Sequence, residues 1–219
     1  MPNNVEEGRF ITFEGPEGGG KSTQVQALAE ALRAEGRTVL VTREPGGTPL
    51  AEKIRALVRE ERTDPPVARS EVLLFLAARA QVVAEVIRPA LARGVWVLCD
   101  RFADSTFAYQ GYGRGLSRAF IAAANDFACE GLRPDLTLLL DVDPAVAAAR
   151  MRAREAATHT AADRIECAGE DFHARLRQGF AELAAAEPER IRVIDADGTE
   201  DAVGEKVWQS VRRAVDDMV

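Results

Sequence analysis

Cysteine is scarce in this 219-residue chain, which has three, Cys99, Cys129 and Cys167, far apart and odd in number. They build neither a disulfide framework nor a C-x-x-C metal pattern, and they fit a reducing compartment. Cys99, inside an apolar run, reads as a core residue. Long hydrophobic runs are missing too, and none approaches the ~20 residues of a membrane-spanning helix. Residues Met1 to Gly8 lack the basic start and apolar stretch of an export signal, so a soluble, cytoplasmic protein is expected. Positive charge is outnumbered, with 28 Lys and Arg against 35 Asp and Glu and a formal net charge of −7. Binding to a nucleic-acid polymer rests on neutralising many phosphates, so the charge argues against such a main partner. A small phosphorylated ligand needs only a local basic pocket and stays compatible. With no internal repeat and no interdomain linker, the length suits one α/β domain carrying a small mobile insertion.

Against those absences stands one dense motif. Gly15, Pro16, Glu17, Gly18, Gly19, Gly20, Lys21 and Ser22 spell G-x-x-x-x-G-K-S/T, directly after the apolar run Arg9 to Phe13. Glycines let backbone N–H groups turn inward around phosphate oxygens, Lys21 adds a point charge near the β/γ-phosphates, and the Ser22 hydroxyl can ligate Mg²⁺. Thr23 and the helical stretch from Gln24 to Ala34 place a helix N-terminus under the anion. A chance glycine-rich turn would not be framed by a strand and a helix, so a nucleoside triphosphate such as ATP is the expected ligand.

Four further apolar runs, at 38–41, 95–99, 136–140 and 191–194, alternate with helical patterns at 70–92, 117–128, 144–155, 170–186 and 200–217. Pro89 and Gly94 mark the end of the 70–92 pattern. Short apolar strands separated by helices predict a doubly wound, five-stranded parallel sheet of the phosphate-loop NTPase type, with helices on both faces. Arg150, Arg152 and Arg154 end one helix and lead into a segment without apolar periodicity that reaches Arg164. Residues 150–166 therefore read either as a hinged, arginine-bearing lid or as a solvated helix face, and the phosphate loop favours the lid.

Ligands of such sheets bind outside the carboxyl ends of the strands. The second strand ends in Thr42-Arg43-Glu44-Pro45-Gly46-Gly47-Thr48 and the third in Asp100-Arg101-Phe102. Arg43 and Arg101 thus converge on the mouth that holds the phosphate loop, as a second anion site. Asp100 is placed either near Mg²⁺, through water, or as the N-cap of the next helix. Phe75 and Arg79, four residues apart, share one helix face; the ring fits a base or ordinary core, while a buried arginine requires a partner.

These strings, with Phe75-Leu76-Ala77-Ala78-Arg79, Ser105 to Gly111 and Asp163-Arg164-Ile165-Glu166 in the same order, resemble the motifs of thymidylate kinases over about residues 9 to 195. The resemblance implies phosphorylation of dTMP to dTDP by MgATP, and a homodimer. It implies that Glu17 accepts from the acceptor's 3′-hydroxyl, that Arg43 and Arg101 grip its 5′-phosphate, and that Phe75 stacks on the thymine. Arg79 would donate to a ring carbonyl, and Thr106, Tyr109 and Gln110 would line the nucleoside pocket, with Tyr109 excluding a 2′-hydroxyl. With Pro16, Glu17, Gly18 and Gly19 inside the loop, no loop arginine is available, so Arg154 and Arg164 would join Lys21 and Arg101 as catalytic cations. A kinase for dUMP or UMP is the nearest rival. A nucleotide switch is disfavoured, because no Asn-Lys-x-Asp base-reading motif occurs and the Asp-x-x-Gly at Asp195 to Gly198 follows the last strand, where no switch loop could use it.

Overall fold

A computed structural model describes residues 7–60, 63–158 and 169–217. The five apolar runs form β1 (Phe10–Glu14), β2 (Val39–Arg43), β3 (Trp96–Asp100), β4 (Leu136–Asp141) and β5 (Ile191–Asp195). All neighbours pair in parallel, in the order β2-β3-β1-β4-β5. Parallel strands need crossovers, and those between the strands are helical. Two strands lie on either side of β1, so the loop leaving its carboxyl end opens at the middle of the sheet.

The helices are α1 (Lys21–Ala34), α2 (Pro49–Arg59), α3 (Ala68–Val82), α4 (Arg88–Leu91), α5 (Ala103–Thr106), α6 (Arg118–Cys129), α7 (Pro144–Thr158), α8 (Glu170–Ala186) and α9 (Glu200–Asp217). Alternation along β1 sends Ile11 and Phe13 to one face, where Val25, Leu28 and Leu32 of α1 meet Val203, Val207 and Val211 of α9. Phe10 goes to the other face, with Val82, Ile87, Val97 and Phe102, and its ring meets that of Phe102 edge-on at 4.9 Å. Each such fully buried side chain contributes ~1.5–3 kcal/mol of hydrophobic stabilisation.

Three expectations need correction. The 70–92 pattern is not one helix, since α3 passes into a π-helical turn at Val83–Ile87 before α4. Pro89 does not end the helix but lies in the first turn of α4, where a missing N–H is tolerated. The first strand runs one residue beyond Phe13 and includes Glu14, buried in spite of its charge. Two elements were not anticipated. One is α2, capped by the Thr48 side chain, which accepts from Ala51 N at 3.2 Å. The other is the stretch from α5 into a second π-helical segment, Phe107–Gly113, which carries aromatic, glycine and polar residues rather than an apolar period.

Candidate active site

The loop between β1 and α1 is shaped by what cannot fit in it. Gly15 has φ 130 and Gly18 φ 73, and a Cβ there would lie 2.4 Å from the Leu140 carbonyl oxygen and 2.5 Å from that of Ala147. Gly20 caps α1 in the left-handed conformation, with φ 83, so the helix N-terminus opens onto the cleft. Lys21 is buried and its Nζ donates to the carbonyls of Gly15, at 3.1 Å, and Pro16, at 2.6 Å. Burial, aided by Arg101, pulls the Lys21 ammonium down to about 8 against the opposing carboxylates of Glu17 and Asp100. An incoming phosphate would restore that charge.

Ser22 Oγ donates to Asp100 Oδ2 at 2.6 Å, joining α1 to the end of β3. Phe102 is the N-cap of α5, so Asp100 is not its cap. A hydroxyl and a carboxylate beside a phosphate loop are hard oxygen donors of the kind Mg²⁺ takes, and this pair fits that ion. Among the described residues no three His, Cys, Asp or Glu side chains form a metal cluster.

Arg101 follows directly, in the left-handed region at φ 71. Its Nη1 donates to Gly15 O at 3.0 Å and to Ser105 Oγ at 3.1 Å, while Nη2 meets Glu17 Oε1 at 2.5 Å. The guanidinium also lies 5.0 Å from the centre of the Tyr109 ring, and the Tyr109 hydroxyl donates to Glu17 at 3.4 Å. Burial works against the Glu17 charge, but Arg101, Lys21 and, to a smaller extent, Arg154 outweigh it and hold the carboxyl at about 2. Arg43, at the end of β2, is exposed and paired with Glu52 at 3.1 Å.

Deeper in, Phe75 packs against the Ala51, Ile54 and Val58 cluster and also lines the cleft. Arg79 is 2% exposed. It donates to Glu44 at 2.8 Å, Thr106 at 2.8 Å, Asn125 at 2.5 Å and the Phe102 carbonyl at 2.9 Å. A base carbonyl would therefore share protons that Arg79 already donates. Gln110 Nε2 donates to the buried Glu71 at 3.0 Å. Glu44 precedes a cis bond to Pro45, and burial raises its carboxyl pKa in spite of Arg79.

On α7, Arg150 binds the phosphate loop directly, donating to Gly18 O at 3.4 Å and to the carbonyls of Ala196 and Gly198 at 3.0 and 2.9 Å. Arg152 and Arg154 are exposed, and Arg154 lines the cleft. Arg164, and with it residues 159–166 of the segment expected to form the lid, lies outside the described residues. The cleft has a volume of about 620 Å³ and brings together Lys21, Ser22, Thr23, Arg43, Phe75, Asp100, Thr106, Tyr109 and Gln110 among its lining. That volume suits a nucleotide-sized ligand.

Some contributors escaped the sequence reading. Arg55 and Arg59 of α2 face the same cleft, and burial, with Arg59 and Arg43, pulls the Arg55 guanidinium down to about 10. Their four-residue spacing after the Thr48 cap was a usable signal. Glu14 had none. It is wholly buried beneath the turn that carries Arg101, and burial, with Asp104 adding, pushes its carboxyl up to about 7.

Comparison with known proteins agrees with this arrangement. The family model described as thymidylate kinase matches residues 13–207. A thymidylate kinase of Solidesulfovibrio magneticus is 53% identical over 201 residues, covering 91% of this chain and 96% of that protein. One from Deinococcus radiodurans is 50% identical over 210 residues, covering 94% and 98%. The crystal structure of thymidylate kinase from Ehrlichia chaffeensis superposes with a TM-score of 0.76 at 35% identity, covering 94% of this chain and 99% of that one. A parallel sheet in this order, a glycine loop closed around Lys21, and relatives matched along nearly their whole length lead to one assignment: the chain belongs to the thymidylate kinase family.

Proposed function

We propose that this chain transfers the γ-phosphoryl group of ATP to the 5′-phosphate of dTMP, giving dTDP and ADP, with Mg²⁺ bound alongside the nucleotide. An anionic oxygen of the dTMP phosphate attacks the γ-phosphorus, the new P–O bond forms, and the bond to the bridging β-phosphate oxygen breaks as ADP leaves. That oxygen carries no proton to remove at neutral pH, so no strong general base is required. The task left to the protein is to hold two mutually repelling phosphates in line. The single observation that carries the reading is the Arg101 guanidinium, held between the Gly15 carbonyl of the phosphate loop and Glu17 at the strand-end mouth.

Lys21 and the loop from Gly15 to Thr23 take the ATP phosphates. Ser22 and Asp100 would hold Mg²⁺, Asp100 through water, and the ion would neutralise charge on the β- and γ-phosphates. Arg43 and Arg101 clamp the acceptor phosphate, and Glu17, fixed as a carboxylate, accepts from the 3′-hydroxyl. Phe75, Arg79, Thr106, Tyr109 and Gln110 form the nucleoside pocket. Arg154, with Arg164 beyond the described residues, supplies cations over the transferred group from a lid spanning about residues 150–166. Support for a homodimer comes from exposed apolar residues on adjacent helices: Phe120 and Phe127, seven apart on one face of α6, and Leu73 of α3, with Phe127 85% exposed. Among the described residues no helix is long and apolar enough to cross a membrane, and we place the enzyme in the cytoplasm. Removing Lys21 by Lys21→Ala tests the phosphate-loop assignment: turnover should collapse, and intact turnover would overturn it.

A further inference from the structure

Glu14 is a fully buried carboxylate that the reaction above does not use. Its Oε1 accepts from Phe102 N at 2.8 Å and Ser105 N at 3.1 Å, and its Oε2 accepts from Ser105 Oγ at 2.5 Å. These are the N-cap and third-residue positions of α5, whose N-cap, Phe102, has no capping side chain of its own. In a capping box a side chain of the helix's own first turn bonds back across the helix start. Here a strand residue 88 positions away takes the N-cap N–H of Phe102, and it also takes the N–H and the hydroxyl of Ser105.

The consequence falls on Arg101, which lies between the end of β3 and the start of α5. Its backbone N–H donates to Phe13 O at 2.9 Å, and its φ of 71 is disfavoured for any residue with a Cβ. Ser105 Oγ, whose proton goes to Glu14, has a lone pair left that accepts from Arg101 Nη1 at 3.1 Å. From these contacts we infer that Glu14 is a positioning residue for phosphoryl transfer, pinning the Arg101 to Ser105 turn so that the guanidinium is presented to the acceptor phosphate. The inference rests on the proposed role of Arg101 as the phosphate clamp.

Glu14→Gln is nearly isosteric and disturbs this relay selectively. With the amide oxygen kept on the two backbone N–H groups, the amide NH₂ faces Ser105 Oγ, which then receives two donors and has no acceptor for its own proton. The experiment is a double-mutant cycle on kcat/KM for dTMP, using wild type, Glu14→Gln, Arg101→Ala and the double variant, with KM for ATP measured in parallel. Glu14→Gln is expected to lower kcat/KM for dTMP by about tenfold or more in the wild-type background and by less than about twofold once Arg101 is gone, with KM for ATP little changed. Equal losses in both backgrounds, a loss confined to KM for ATP, or no loss would overturn the inference. Ser105→Ala removes the same relay, so it carries the same cycle and the same criteria if Glu14→Gln does not fold. Full activity in Arg101→Ala itself would instead overturn the clamp reading, which keeps the two failures distinct.

Discussion

Arg101 occupies a backbone conformation that costs a non-glycine residue ~1–3 kcal/mol, and the polar contacts of its side chain hold it there. Strain of this kind persists where surrounding structure over-determines it, and at this position the return is a guanidinium fixed at the cleft mouth. Arg101→Ala is accordingly expected to lower kcat/KM for dTMP by ~10²-fold or more, as for other lost charge clamps. A change below about threefold in steady-state assays would remove Arg101 from the site. Glu14 bears on stability with a definite sign. Its folded pKa is raised from 4.5 to about 7 by burial and Asp104, with Arg101 opposing. Between those values the unfolded chain releases a proton that the folded chain keeps, so this group makes stability fall as pH rises through the window, by up to ~1.4 kcal/mol per pH unit. Urea midpoints from pH 4.5 to 7 should show a shallower fall, or a rise, in Glu14→Gln relative to wild type. Parallel profiles would contradict the assignment.

At the scale of elements, the phosphate loop and α7 are coupled through contact rather than sequence. Gly18 touches the Ala147 backbone, and Arg150 ties the Gly18 carbonyl to the residues after β5. Gly18→Ala combines a positive φ with a 2.5 Å clash against backbone, so it should destabilise the fold by ~1–3 kcal/mol and raise KM for ATP more than KM for dTMP. Thermal unfolding and paired KM determinations check both halves. The strands were legible because each is a short apolar run bounded by polar or glycine residues, and their carboxyl ends delivered Arg43, Asp100 and Arg101 to one mouth. The π-helical turns were not legible, since a shift in hydrogen-bond spacing leaves apolar periodicity nearly intact over five to seven residues. Glu14 and the partners of Arg79 were equally hidden: Glu44, Thr106 and Asn125 lie 27 to 46 residues from Arg79, and only the packed sheet brings them together. Sequence showed that a buried arginine needed a partner without showing which.

On the scale of the whole molecule, a net charge of −7 coexists with one cleft lined by Arg43, Arg55, Arg59, Arg101 and Arg154, so the positive potential is local and aimed at phosphates. The opposite need is met at α6, where Phe127 is 85% exposed and calls for cover. For the homodimer proposed above, Phe127→Asp is expected to shift sedimentation velocity from dimer to monomer; an unchanged dimer would move the interface elsewhere, and a monomeric wild type would contradict the proposed dimer. The account as a whole stands on the acceptor. ADP release from MgATP by the purified protein, with dTMP, dUMP, UMP, dCMP, AMP and GMP offered separately, should proceed mainly with dTMP and show a smaller rate with dUMP, since one methyl group is worth only ~1–3 kcal/mol in an apolar pocket. Turnover led by another monophosphate, or hydrolysis that needs no acceptor, would contradict it.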